Sequence, residues 1–173
     1  MLAAIRTLNR LESVGETLRA ALNSLAVVAP DWLLTQVTSD WFDRYDTRVE
    51  EYRLPKGKAA REVYAAQIGA DGFRLLDALE ADDAPRWLRE VPAVQTLRRM
   101  WAHQYTRGEG RIRLRAAREL PPAGDRFDSP CDPEAHYGNK RTTTWTGYKV
   151  HLTETCAPHA PTSSRMWSRP LHP

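Results

Sequence analysis

Between Asp128 and Cys156 the chain reads DSPCDPEAHYGNKRTTTWTGYKVHLTETC, and its chemically capable side chains gather there. Asp128, Asp132 and Glu134 are carboxylates close enough in sequence to share a divalent cation, because Mg²⁺ takes oxygen ligands. Their setting argues against it. Pro133 fixes its own φ and pushes Asp132 out of the helical region, so Asp132-Pro133-Glu134 is a turn. Acidic Pro-containing turns are ordinary surface features, and no glycine-centred calcium loop accompanies this one. We therefore read neither a metal site nor a catalytic residue from these acids. Lys140, Arg141 and Lys149 are better candidates for function. Cations beside a strand can contact phosphate oxygens, which positions a nucleic acid without reading its sequence. A plainer role is open to the same residues, since lysines on a strand edge also block edge-to-edge aggregation.

Other reactive constellations are missing from the sequence. His103, His136, His151, His159 and His172 show no spacing of the H-E-x-x-H kind. No nucleophile elbow is present to support a Ser-His-Asp triad. Cys131 and Cys156 form neither a C-x-x-C pair nor a disulfide framework, which fits a cytoplasmic compartment. No apolar run approaches the roughly 18 residues of a membrane span, and the N-terminus lacks the layout of a signal peptide.

Net charge is only +3 over 173 residues, so total charge does not mark a nucleic-acid binder. Its distribution is uneven. Arg98 to Arg118 holds seven arginines against Glu109 alone, and Asp71 to Asp83 holds five acids against Arg74. The basic run is either a DNA-facing stripe or a solvated face.

These side chains need elements to position them. Ile5, Leu8, Leu11, Val14, Leu18, Leu22 and Leu25 recur at helical spacing, which predicts an amphipathic helix over residues 2–26. Pro30 predicts the start of a short helix over Asp31 to Val37, and Ser39 the N-cap of another over Asp40 to Tyr45. Trp32, Trp41, Phe42 and Tyr45 read as core rather than as a base-stacking platform. Lys58 to Leu79 is helical in pattern, but Gly69 and Gly72 interrupt it, and two helices with Asp71 capping the second are expected. Asp83-Ala84-Pro85 begins a short helix through Trp87 and Leu88. Pro92 opens the last helix, with Val94, Leu97, Trp101 and Tyr105 on one face and Gly108 and Gly110 closing it. Arg111 to Arg115 alternates and predicts a short strand. Gly138-Asn139 marks a turn, after which Tyr148, Val150 and Leu152 alternate with Lys149, His151 and Thr153 as a half-buried strand does. The expected organisation is a helical region over 1–118, a loop over 119–140, a strand block over 141–156 and a disordered tail over 157–173. The fold class is mainly α, a bundle-like helical part followed by a β-hairpin.

The Asp128–Cys156 block resembles the middle of bacterial insertion-sequence transposases of the DDE class. MLAAIRTLNRLESVGETLRAAL, AVVAPDWLL, YRLPKGKAAREVYAAQIGADGFRLLDAL and DAPRWLREVPAVQTLRRMW resemble the helical stretch of an actinobacterial-type subgroup. The resemblance runs from Met1 to about Cys156. It implies that the strand block is a fragment of an RNase H-like domain and the helices an insertion. It also implies DNA strand transfer by intact relatives using Mg²⁺, since two-metal sites activate the attacking oxygen and stabilise the leaving one. In such transposases the first catalytic Asp precedes the helix corresponding to Leu2–Arg6, and the other two acids lie beyond the strand corresponding to Tyr148–Leu152. On that mapping the catalytic carboxylates fall outside Met1–Pro173, so no cofactor is expected in this chain. Lys140, Arg141 and Lys149 would flank the active-site strands. His136 stands where the family more often has Arg, which weakens a phosphate contact there.

From Ala157 the pattern is lost. Translated in the frame offset by two bases, with permissible codons, Pro161–Pro173 becomes His-Leu-Ile-Thr-His-Val-Glu-Ser-Thr-Pro-Ala-Pro, which resembles the continuation of these transposases. The reading is a truncated transposase fragment, inactive alone, with weak DNA binding at most. The alternative is a stand-alone helical interaction module that binds DNA or an intact transposase.

Overall fold

The computed structural model describes residues 9–108 and 110–122, together with strand backbone at 136–140, 143–147, 151–153 and 165–167. The described protein is mainly α: five helices plus a short two-stranded antiparallel hairpin at residues 105–114. Helix α1 spans Arg10–Val28, α2 Pro30–Gln36, α3 Ser39–Tyr45, α4 Lys58–Glu80 and α5 Pro92–Gln104. Short 3₁₀ turns lie at Glu51–Arg53, Arg86–Glu90 and Ala117–Glu119. Among the described residues no helix is long and apolar enough to cross a membrane.

Helix α1 starts later than the apolar spacing predicts. Asn9 caps it, accepting the amides of Leu11 and Glu12, while Glu12 Oε2 accepts the Asn9 amide at 2.9 Å. This reciprocal box satisfies orphan first-turn donors. Residues 2–8 of the expected helix lie outside the described residues. Val14, Leu18, Ala21 and Leu25 are fully buried on one side, as the pattern demands. The opposite side of the first half is also buried, through Glu12, Ser13, Glu16 and Thr17.

Pro30 takes the first helical position of α2 as expected. Helix α3 begins at Ser39 itself, with Thr38 as its N-cap residue. Trp41 and Tyr45 are core residues, whereas Phe42 is 58 % exposed and does not join them. The expected break in the fourth helix does not occur: α4 runs unbroken through Gly69 and Gly72. Its glycines serve packing. A Cβ at Gly72 would come within 2.1 Å of Trp101 Cζ2, and one at Gly69 within 2.6 Å of Tyr105 Cε1. Asp71 is no cap but a buried acceptor inside the helix.

Helix α5 opens at Pro92 as expected but ends at Gln104. Tyr105 turns extended (φ −113°, ψ 155°) and begins strand β1, Tyr105–Gly108. Strand β2, Arg111–Leu114, pairs with it antiparallel, with Tyr105 opposite Leu114 and Gly108 opposite Arg111. Gly108 and Gly110 are therefore hairpin residues, not helix stops. Gly110 at φ +71° supplies the left-handed conformation that a tight hairpin connection requires. Ile112 and Leu114 pack against the core while Arg111 and Arg113 face solvent.

Beyond residue 122, β3 (His136–Lys140) pairs antiparallel with β4 (Thr143–Gly147), Lys140 opposite Thr143. Gly138 and Asn139 thus lie within a strand and not in a turn. Strand β5 (His151–Thr153) covers the end of the expected alternating run, whose residues 148–150 lie outside the described residues. Strand β6 (Arg165–Trp167) pairs with β5, inside the segment expected to be disordered. The three backbone registers His151–Trp167, Leu152–Met166 and Thr153–Arg165 give that stretch of the tail an order its sequence does not announce.

Helix propensity and packing make opposite predictions at Gly72. Replacing a mid-helix Gly by Ala adds roughly 0.8–1.0 kcal/mol of helix preference, but overpacking a core costs about 1–3 kcal/mol. With Trp101 2.1 Å from the new Cβ, packing wins. Gly72→Ala should lower the urea midpoint. Gly108→Ala, with no atom within 4 Å of its Cβ, should shift stability by less than about 0.5 kcal/mol.

Candidate nucleic-acid interface

Of the three cations singled out by sequence, Lys140 alone lies among the described residues. Lys140 ends β3 opposite Thr143. Arg141 and Lys149 lie outside the described residues, as do Asp128, Asp132 and Glu134. Among the described residues no group of three or more His, Cys, Asp or Glu side chains is placed to hold a metal ion.

The basic run from Arg98 to Arg118 is described, and the fold divides it. Arg98 Nη2 lies 2.5 Å from Glu80 Oε1, and Arg107 Nη1 donates to Asp77 Oδ2 at 2.7 Å. Arg107 also lies over the Phe73 ring, 5.5 Å from its centroid. The acidic half of α4 thus answers the arginines of α5 and β1, so two of the uneven charge clusters neutralise each other in space. Arg115 has a structural place: its amide donates to the Gln104 carbonyl at 2.8 Å, and its own carbonyl accepts from Arg10 Nη1 at 2.7 Å. Arg10 also donates to the Gln104 side chain and to its carbonyl. One guanidinium thereby ties the start of α1 to both ends of the hairpin.

Arg111 and Arg113 fall on the other side. Strand alternation points both away from the core, and the hairpin lies along the first half of α4. Between them is an open groove of about 1410 Å³, bordered by Lys58 and Arg61 from α4 and Arg111 and Arg113 from β2. Its apolar lining includes Ala65, Ile112 and Leu114. Glu62 is the one acid among the described lining residues. Lys58 Nζ approaches Glu62 at 3.9 Å, but the two side chains are 91 % and 68 % exposed, a setting in which an ion pair contributes about 0–1 kcal/mol. Arg61 uses Nε on the Pro55 carbonyl at 3.0 Å. Arg113 is held by Glu119, which accepts from Nη1 at 2.7 Å and from Nη2 at 3.0 Å.

The groove was half visible in the sequence. The Arg111–Arg115 alternation predicts the strand, while Lys58 stands only as the start of a helical pattern and Arg61 carries no signal of its own. Their closeness to β2 depends on the hairpin folding back on α4, which no local pattern states. The cluster Lys56, Lys58 and Arg61 after Pro55 was the available signal.

Two phenols inside the body are excluded from nucleophilic work. Burial first, and the Asp71 hydrogen bond second, push the Tyr45 hydroxyl well above the ordinary phenol range. Burial does the same to Tyr105. Each instead donates, Tyr45 to Asp71 Oδ2 at 2.6 Å and Tyr105 to the Ala65 carbonyl at 2.9 Å.

No family model matches the chain, and no curated protein or solved structure matches it.

Glu119 offers a direct check on the groove's edge. Its hydrogen bonds from Arg113, then from the Ala116 amide, hold the carboxyl at about 2, against an ordinary 4.5. Because the folded value is depressed, the bridge's contribution is complete above the unfolded value and is lost as pH falls through about 2. Carbon-detected NMR titration should place the Glu119 midpoint near 2, and Arg113→Ala should return it towards 4.5.

Proposed function

We propose that this chain is the helical insertion and part of the RNase H-like domain of a DDE-type insertion-sequence transposase, and that alone it catalyses no DNA chemistry. The observation that carries the reading is the Asp128–Cys156 block. An Asp-Pro-Glu turn, the Lys140-Arg141 pair and the Trp-Thr-Gly-Tyr-Lys-Val-His-Leu run occur there together and in the order of such enzymes. Strands at Thr143–Gly147 and His151–Thr153 fall inside the strand block that the reading expects, whereas His136–Lys140 is a strand within its expected loop. A long helical stretch before them agrees as well.

The chemistry of that class sets the functional limit. Strand transfer requires three separated carboxylates that converge on two metal ions. On the mapping, none of the three falls between Met1 and Pro173. The acids Asp128, Asp132 and Glu134 belong to a single short segment, too local to replace carboxylates drawn from several strands. What remains for this chain is phosphate contact through cations such as Lys140, Arg141 and Lys149.

A second reading, a helical interaction module that engages DNA or an intact transposase, is favoured by one observation. The buried apolar cluster is drawn from Leu11 through Tyr105, with Ile112 and Leu114 packed on it. The described helical body therefore encloses a core of its own. Capture of a full-length relative by the purified chain would favour this reading.

The coding DNA tests the first reading. Upstream and in frame it should encode an Asp-Ser-Thr or Asp-Ala-Thr strand. Downstream, in the shifted frame, it should encode Ile-Thr-x-Val, a Thr-Pro-Ala segment and two further acids. Unrelated DNA on both sides would sink the proposal. In parallel, the purified chain with Mg²⁺ should neither nick nor join transposon-end DNA; activity lost in Asp132→Ala or Glu134→Ala would overturn the inactive state.

A further inference from the structure

We propose that the open groove between α4 and β2 is a track for a nucleic-acid backbone, with Lys58 and Arg111 as its principal phosphate contacts. The proposal stands on charge and shape and does not depend on the transposase reading. Two observations select this place over the rest of the basic run. Arg98 and Arg107 are already matched to Glu80 and Asp77, so an incoming phosphate there must displace a carboxylate. In the groove, four cations from two separate elements stand against two acids, Glu62 in the lining and Glu119 on Arg113, which leaves Arg111 and the loosely held Lys58 as the cations an incoming phosphate meets. Arg111 is exposed at the outward register position opposite Gly108, and the Lys58 side chain is 91 % exposed.

Shape and energetics favour a polyanion over a small anion or an acidic peptide. The groove is open and about 1410 Å³ in volume, far larger than one phosphate ion. Exposed cations gain only about 0–1 kcal/mol from an isolated carboxylate. A nucleic-acid duplex instead carries one charge per roughly 1.7 Å with condensed counterions, and releasing these drives binding even to well-solvated cations. The cations proposed as contacts, Lys58 and Arg111, are exposed at the groove's rim, and contacts from such side chains to phosphate oxygens carry no base sequence information.

Binding of the full chain to a fluorescein-labelled mixed-sequence duplex, followed by anisotropy, tests this. With two to three phosphates engaged, Kd should rise roughly 10- to 40-fold between about 50 and 200 mM salt. The double variant Lys58→Glu/Arg111→Glu should weaken binding at least about tenfold and flatten the salt slope by about two. Arg98→Ala and Arg107→Ala should each stay within about twofold of the parent, being outside the track. Far-UV circular dichroism checks that helix content is kept, and Lys58→Gln/Arg111→Gln carries the same comparison if charge reversal disturbs folding. Absence of duplex binding would overturn the proposal. So would an unchanged Kd in both double variants, or an equal loss on removing Arg98 or Arg107. Competition by a glutamate-rich peptide at equal charge concentration would reassign the groove to acidic protein segments. None of these outcomes bears on the coding DNA, which tests the family reading separately.

Discussion

The close approach of two aromatic rings to the backbone of α4 is the constraint on which the described body depends. Trp101 donates Nε1–H to the Gly69 carbonyl at 3.1 Å, and Tyr105 donates its hydroxyl to the Ala65 carbonyl at 2.9 Å. Both donors are buried, and a buried donor left without a partner costs about 1–3 kcal/mol. Each ring can reach its carbonyl only because α4 carries hydrogen where other residues carry Cβ. The rings also lie against each other, with centroids 5.1 Å apart. This contact fixes where α5 lies on α4 and brings the chain down onto α4 at Tyr105. The hairpin then has one place to go, along the first half of α4, and Ile112 fills the space beside Gly69. The groove's two walls are therefore set by packing at a distance from its cations.

Buried carboxylates hold the rest of the body by a similar logic. Glu16 accepts the Val49 amide at 2.6 Å and two bonds from Arg19. Gly15 admits Val49 beside it, since a Cβ there would lie 2.8 Å from Val49 Cγ2. Asp71 accepts from Tyr45, Arg44 and Gln67. Burying a charge is costly unless it is paired and hydrogen-bonded, and both acids meet that condition with several donors. The segment between α3 and α4 is thus anchored to α1, and α3 to α4, by polar contacts that add to the apolar burial of Trp41, Tyr45, Val49 and Leu54.

The legible parts of the fold were those in which local pattern and tertiary packing agree. The apolar stripe of α1, Pro30 and Pro92 at helix starts, and the Arg111–Leu114 strand are of this kind. The misread parts are those in which tertiary contact overrides a local signal. Gly69 and Gly72 look like breakers until Trp101 is placed against them. Tyr105 continues the α5 stripe in sequence, but its hydroxyl and ring are satisfied only by leaving the helix. Phe42 sits among core aromatics in sequence, yet the register of α3 buries Trp41 and Tyr45 and leaves it outside. The buried polar face of α1 carries no apolar periodicity, so no hydrophobic pattern could show it.

Charge was misleading for a related reason. The sequence shows an acidic run and a basic run, each suggestive by itself, but charge acts through space and the two runs share an edge of the fold. Glu80 and Asp77 take up Arg98 and Arg107, so the densest basic stretch is partly neutralised where it meets α4. The less conspicuous Lys58 and Arg61 gain significance because β2 brings Arg111 and Arg113 opposite them. Electrostatic fields sum over the folded surface, and a cleft lined by one sign concentrates that field more than a convex face with the same number of charges. Net charge near zero is therefore compatible with a local anion track. What decides is which carboxylates the fold brings next to which cations, and that is settled here by two glycines in α4.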